Sequence, residues 1–234
     1  MNSSLKRCFR ALPEEGTVLD VGCLGFRQVE HGRALGLKLA HAGVDRLAAP
    51  EPLPPEFIYK RADLEREPIP FEDDRFDLVV ASHVIEHVRN PLDVVAECVR
   101  VCRPGGRIYI EAPSERSLWL PGMPWWHEDL RSLSFFDDPT HVGRPWTPQA
   151  LHRLARYLGC EPEEARHLTS YKLLVGLPFL VIGALVKRRS DILEWAVWGA
   201  IGWAAAAVIR KPPGLRGGPA VTYFTTSPDA GFGE

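Results

Sequence analysis

The sequence predicts a parallel α/β sheet with helices on both faces. Three observations carry this. Short apolar runs alternate with amphipathic helical stretches, the pattern of repeated strand–helix–strand units. Residues 76–81, FDLVVA, are almost continuously apolar, as a strand covered on both faces must be. The 234 residues are 45% hydrophobic and 25% charged, enough for one domain whose core leans on neither disulfides nor a structural metal.

The elements follow in order. Thr17–Val21 (TVLDV) reads as a strand stopped by Gly22. Residues 31–42 have helical character. Gly43, Val44 and Asp45 form a short second strand with an acidic tip. Residues 57–60 (FIYK) form a third, leading to Asp63, and 76–81 form the fourth. The next helix has Asn90 as N-cap, Pro91 at its first position and Asp93 near its positive end. Leu92, Val95, Ala96, Val99 and Cys102 then recur at helical spacing, and Pro104-Gly105-Gly106 ends it. Residues 107–112 (RIYIEA) read as a strand, 148–158 as an amphipathic helix closed by Gly159, and 221–226 (VTYFTT) as the final strand.

Lys plus Arg total 28 and Asp plus Glu total 30, a net charge of −2. That balance excludes a nucleic-acid binder built on bulk positive charge. The five cysteines include no C-x-x-C pair and read as reduced, scattered thiols of a cytoplasmic protein. The eight histidines show no zinc-site spacing, so no metal is expected. No signal-peptide stretch follows Lys6, Arg7 and Arg10.

In a parallel sheet of this kind, ligands bind beyond the carboxyl ends of the strands. Asp20, Asp45 and Asp63 fall at three such ends, and Gly22 and Gly25 lie in the first strand-to-helix turn. Glycine there lets a ligand approach the backbone. The carboxylates suit ribose hydroxyls, an amino group or adenine, and they repel a pyrophosphate. A nicotinamide dinucleotide site is disfavoured further by the missing G-x-G-x-x-G spacing.

These stretches (VLDVGCLGF, then GVD, then ADLEREPIPFEDDRFDLVVASHVIEHVRNPLDVVAECVRVCRPGGRIYIEAPS) resemble the class I S-adenosylmethionine-dependent methyltransferases, small-molecule group. The resemblance covers residues 16–114 tightly and extends loosely to 159. It implies a Rossmann-like sheet, mostly parallel, with an antiparallel last strand. It implies S-adenosylmethionine as cofactor, with Asp20, Gly22 and Cys23 around its methionine part and Gly25 in the same cofactor-binding turn. It puts Asp45 on the ribose hydroxyls, Asp63 with Leu64 at the adenine, and Ser82 along the transfer cleft. The turn departs from the family pattern D-x-G-x-G-x-G, since Leu24 and Phe26 replace the last two glycines. That departure keeps a second reading open, a non-catalytic membrane- or partner-binding module on a degenerate methyltransferase fold.

A sulfonium methyl is already an activated electrophile, so the protein mainly aligns an acceptor and excludes water. A hydroxyl acceptor also needs a base. His83, next to Ser82, and His141, before the 148–158 helix, are the candidates, whereas His87 suits packing better. Residues 113–147 are long for a connection and hold Trp119, Trp125, Trp126, Phe135, Phe136 and Trp146. They suit an aromatic lid over the acceptor, with at least half of the rings packed as a satellite core.

Residues 173–186 and 192–209 are two apolar runs around Lys187, Arg188 and Arg189, with Arg210 and Lys211 following. In the fold that the resemblance implies, the last two strands are an antiparallel pair, here 165–171 and 221–226, and the runs form an apolar helical insertion, 172–212, between them. The first run is too short to span a bilayer, and the basic linker opposes a two-span hairpin. Ala196, Ala200 and Ala204 form a ridge suited to close helix packing. Interfacial insertion at the inner face of the membrane and burial against the domain or a second subunit, through 173–209, are both compatible with this pattern. The function expected overall is methyl transfer to a small or lipid-linked acceptor, at oxygen, by one 1–234 methyltransferase-like domain.

Overall fold

The computed structural model describes residues 1–49, 51–124 and 131–219. The elements are α1 (Ser3–Arg10), β1 (Thr17–Val21), α2 (Arg27–Ala34), β2 (Ala40–Asp45), β3 (Ile58–Arg61), β4 (Phe76–Ser82) and α3 (Pro91–Val101). Then come β5 (Cys102–Pro113), α4 (Pro148–Tyr157), β6 (Glu161–His167), α5 (Tyr171–Lys187), α6 (Ser190–Ile201) and β7 (Ala204–Arg210). One sheet runs in the order β3-β2-β1-β4-β5-β7-β6. β7 is antiparallel to both β5 and β6, and the other pairs are parallel. The Rossmann-like sheet with an antiparallel last strand is therefore present.

Strand alternation divides the core in two. Leu19, Val21, Val79, Ala81, Ile108 and Ile110 meet Val95, Cys98 and Val99 of α3 and Leu151 and Leu154 of α4 on one face. Val18, Leu78, Val80 and Tyr109 meet Leu5, Cys8 and Phe9 of α1 on the other. The sequence pattern did not single out α1. Asn2 caps it, its Oδ1 accepting the Leu5 amide at 3.0 Å. All five cysteines are buried free thiols.

Four local expectations need correction. The helix expected over 31–42 is α2, which begins earlier and ends at Ala34; residues from Ala40 onward already belong to β2. The strand expected at 165–171 lies earlier, as β6, and α5 starts at Tyr171. The 192–209 run is not one helix. Gly202, at φ +74°, closes α6, and Ala204–Arg210 forms β7 between β5 and β6. Alanine favours helix, but here sheet pairing on both sides overrides that preference. Consequently Ala204 is not part of a helical ridge with Ala196 and Ala200, and β7 takes the place assigned to 221–226, which lies outside the described residues. Lys211, just after β7, lies inside the fold. It is fully buried, its Nζ donating to Asp74 at 2.7 Å and to the carbonyls of Val99 and Cys102, both at 2.8 Å.

α5 and α6 pack together between β6 and β7, seated on Met123 and Leu133 through Ala184, Leu193 and Val197. Among the described residues, no helix is long and apolar enough to cross a membrane. Of the aromatic residues in 113–147, Phe135 and Trp146 are buried. Trp119 and Phe136 are exposed, and Trp125 and Trp126 lie outside the described residues.

Candidate active site

The carboxyl ends of β1, β2 and β4 gather most of the expected side chains. Asp20 and Asp45 are both buried near the ends of adjacent paired strands. Burial pushes the Asp20 carboxyl up to about 7, with the neighbouring Asp45 charge adding to the rise and hydrogen bonds from Gln28 opposing it. Oδ1 of Asp45 accepts the Leu47 amide at 3.0 Å. Asp63 sits half-buried one residue beyond Ala62. Its Oδ1 accepts the Glu65 amide at 3.2 Å, and Arg66 lies 3.7 Å away. Leu64 packs against the main core. Ser82 is half-buried at the end of β4.

The first turn needs glycine at position 22. Its φ is +74°, and a Cβ there would lie 2.6 Å from Cγ2 of Val84. The β1 turn and the segment after β4 are thus in direct apposition. Cys23 is buried beneath them, and its thiol is pushed up to about 12 by burial and by the charges of Asp20 and Asp45. It is a packing residue in its neutral form, not a nucleophile.

Leu24 and Phe26 do not close the turn. Leu24 is 56% exposed. Phe26 packs edge-on against Phe57 with ring centroids 5.0 Å apart. A Cβ on Gly25 would meet nothing within 4 Å, so the tip of the turn borders open space. Phe26 takes the strained left-handed conformation, φ 51°, that the family pattern's glycine adopts freely. The acids at the strand tips and the open turn fit a cationic nucleoside.

Beyond β4 the chain builds a charged knot. His83, at φ 57°, places Nδ1 3.0 Å from Oε1 of Glu86 and Nε2 3.4 Å from Oε1 of Glu111. Glu111 also accepts from Nδ2 of Asn2 at 3.0 Å and from the Tyr109 hydroxyl. Burial opposes a charge on His83, but the two carboxylates outweigh it and push its pKa up to about 10. With both ring nitrogens facing carboxylates, His83 has no lone pair with which to take a proton. The expectation that it acts as a base therefore conflicts with the geometry. Trp198 of α6 stacks over the imidazole at 6.2 Å, and Trp203 lies parallel to Trp198 at 3.9 Å. The helical hairpin thereby walls the cleft beside His83.

His141 lies on the same wall. Its Nδ1 is 2.7 Å from the Phe135 carbonyl, and its ring stacks on Phe135 at 4.4 Å. The rings of His87 and His141 are 4.9 Å apart. Residues 142 and 143 donate their amides to the Glu86 carbonyl at 3.1 and 3.2 Å, tying this loop to the turn after β4. Sequence reasoning missed Glu86 and Glu111. A charged residue inside the apolar run RIYIEA was the available signal for Glu111.

Comparison with known proteins decides the family. The model of a methyltransferase domain family matches residues 1–165. The chain belongs to this family, which is that of the class I S-adenosylmethionine-dependent methyltransferase domain. It is 27% identical over 169 residues to a ubiquinone biosynthesis O-methyltransferase of Cereibacter sphaeroides, covering 66% of this chain and 64% of that protein. It is 29% identical over 161 residues to one of Dechloromonas aromatica, covering 63% and 65%. The match thus spans a little under two thirds of these relatives' length. Among solved structures, the complex between the Haloferax volcanii Trm112 methyltransferase activator and the putative methyltransferase is similar in fold. Its TM-score is 0.63 at 17% identity over 89% of this chain and 88% of that one. A methyltransferase from Archaeoglobus fulgidus gives 0.57 at 19% identity over 89% and 90%. Membership of this family implies S-adenosylmethionine as the methyl donor.

Proposed function

We propose that this methyltransferase moves a methyl group to a hydroxyl oxygen of a small or lipid-linked acceptor, at a membrane surface. The observation that carries the membrane part is the outer face of α5. Tyr171, Leu174, Val175, Phe179, Ile182 and Val186 stand exposed at helical spacing. Lys172, Lys187, Arg188 and Arg189 stand exposed at its two ends. An apolar stripe with basic ends suits the boundary of an anionic bilayer. The oxygen acceptor is supported by the named activity of the O-methyltransferase relatives.

In this reading Asp20, Gly22 and Cys23 surround the methionine part of the cofactor, and Gly25 lies in the same cofactor-binding turn. Asp45 accepts from the ribose hydroxyls, Asp63 and Leu64 flank the adenine, and Ser82 borders the transfer cleft. The bound donor supplies a methyl already activated by its sulfonium. The chain's own work is to orient the acceptor and exclude water. Residues 113–147 are proposed as the acceptor region. Of the two histidines, His141 is the one that keeps a free ring nitrogen, and the acceptor is placed on its side of the cleft.

The test is radiolabelled methyl transfer to phenolic acceptors, presented in water or in vesicles with and without anionic lipid. Transfer enhanced by anionic vesicles supports the reading. Cofactor binding without vesicle association, together with a dimer in solution, assigns the α5 face to a second copy instead. Failure to bind S-adenosylmethionine, with Asp45→Ala indistinguishable from wild type, would favour the non-catalytic module.

A further inference from the structure

The sequence shows no metal-ligand spacing, yet the fold converges three ligating side chains that are far apart or unpatterned in the chain. Glu86 and His87 lie in the turn after β4, and His141 lies 54 residues beyond His87 in the loop before α4. One ligand atom from each falls within 4.8 Å of the other two.

Their remaining hydrogen bonds leave suitable lone pairs free. The Thr140 hydroxyl gives its proton to Oδ1 of Asp138 at 2.6 Å, so at its 2.9 Å contact with Nδ1 of His87 it acts as acceptor. His87 therefore carries its proton on Nδ1 and a lone pair on Nε2. The Phe135 carbonyl likewise fixes the His141 proton on Nδ1, leaving its Nε2 as an acceptor, with Oδ2 of Asp138 3.9 Å away. Glu86 is 0% exposed, and Oε1 meets His83. Its Oε2 is buried without a hydrogen-bond partner among the described residues. A buried carboxylate oxygen left unpaired is costly. The nearness of the Glu86 carboxylate to two imidazoles, each oriented by its own hydrogen-bond partner, gives that cost a use.

We propose that Glu86, His87 and His141 bind a divalent transition ion of the zinc class. Two imidazoles and one carboxylate suit zinc, whereas magnesium prefers an all-oxygen set. The ion would draw the three atoms in to the ~3.3 Å separation that ~2.0–2.1 Å bonds in a tetrahedron impose. It would leave a fourth position for water or another oxygen ligand. It would also clip the 134–143 loop onto the turn after β4, fixing the wall that His141 shares with His83. The proposal is independent of the membrane reading, but an ion on Nε2 of His141 takes the ring nitrogen left free in the acceptor reading, and the acceptor would then meet the fourth metal position instead.

The experiment uses the full chain stripped of metal by a chelator, which is then removed. Zinc is titrated in competition with a chromophoric chelator, with magnesium in a parallel arm, and cobalt absorption is recorded. One equivalent of zinc is expected, with magnesium unable to displace it. The cobalt spectrum should lack the charge-transfer band of thiolate ligation. His87→Ala and His141→Gln should each weaken zinc at least tenfold. Thr140→Val, an exposed site whose loss removes only the orienting partner, should weaken it about tenfold. Thermal melting in chelator checks that each variant folds; should His141→Gln unfold, the other two variants decide. Absence of stoichiometric zinc binding, zinc binding unchanged in both His87→Ala and Thr140→Val, displacement by equimolar magnesium, or a thiolate band with cobalt would each overturn it.

Discussion

Placed against the cofactor as proposed, Asp20 should make cofactor affinity a function of pH. Its carboxyl is raised to about 7 by burial and by Asp45, so at pH 6 about one protein in ten has it ionised. The cofactor brings a positive sulfonium and a positive amino group. If Asp20 faces that part of the ligand, the ionised form binds and the protonated form does not. Affinity should then rise about tenfold per pH unit below 7 and level off above it, each factor of ten being about 1.4 kcal/mol. Calorimetry with S-adenosylmethionine from pH 5.5 to 8.5 measures this, and buffers of differing ionisation enthalpy count the proton released. S-adenosylhomocysteine, which lacks the sulfonium charge, should show a shallower profile. Asp20→Asn should flatten both. A flat wild-type profile, or one that Asp20→Asn leaves unchanged, refutes the reasoning.

The same group acts on stability with the opposite slope. The folded-state pKa is above the unfolded one, so between about pH 4 and pH 7 the folded chain holds a proton that the unfolded chain has lost. Stability should fall as pH rises through that window, by at most ~4 kcal/mol, and stay level above it. Asp20→Asn should remove the slope in urea denaturation series.

Three further outcomes follow from packing. Gly202→Ala places a Cβ 2.8 Å from Cβ of His167 and Cγ2 of Thr169 at φ +74°. It should cost about 2–4 kcal/mol in urea unfolding, and a loss below ~1 kcal/mol would count against the assigned α6–β7 junction. Lys211→Met strips the partner from Asp74 and from the Val99 and Cys102 carbonyls. A loss of about 3 kcal/mol is expected by the same measurement; a neutral result would mean that the buried ammonium is dispensable. Phe179→Asp on the exposed face of α5 should leave the melting temperature within ~2 °C while lowering sedimentation with anionic vesicles at least about tenfold. Unchanged sedimentation removes α5 from the membrane reading.

The sheet was legible from β1 through β5 because its signals are local. A parallel strand buried on both faces cannot avoid an apolar run, and 76–81 shows one. Helix α3 declares its start through Asn90 and Pro91. The last strand was not legible for a related reason. In Ala204–Arg210 four alanines precede Val208 and Ile209, and their local preference is helical. Only the neighbours on either side, β5 and β6, make that segment a strand. The glycine before it, Gly202, carried the boundary, but an isolated glycine in an apolar run is a weak stop.

The site divides along the same line. Asp20, Gly22 and Asp45 could be named in advance because strand ends and turns fix their positions within a few residues. His83 could be placed but not assigned a charge, since Glu111 reaches it from the neighbouring strand and Asn2 reaches Glu111 from the amino terminus. A histidine read alone is a candidate base; one set between two carboxylates is a cation. His141 shows the converse. Its ring nitrogen is left free by a backbone carbonyl in the 113–147 region, and its neighbours Glu86 and His87 come from the turn after β4. No spacing rule could link them, because what joins them is the docking of one loop on another. Chemistry that depends on such docking is read from the folded chain, whereas chemistry housed in one turn is already written in the order of residues.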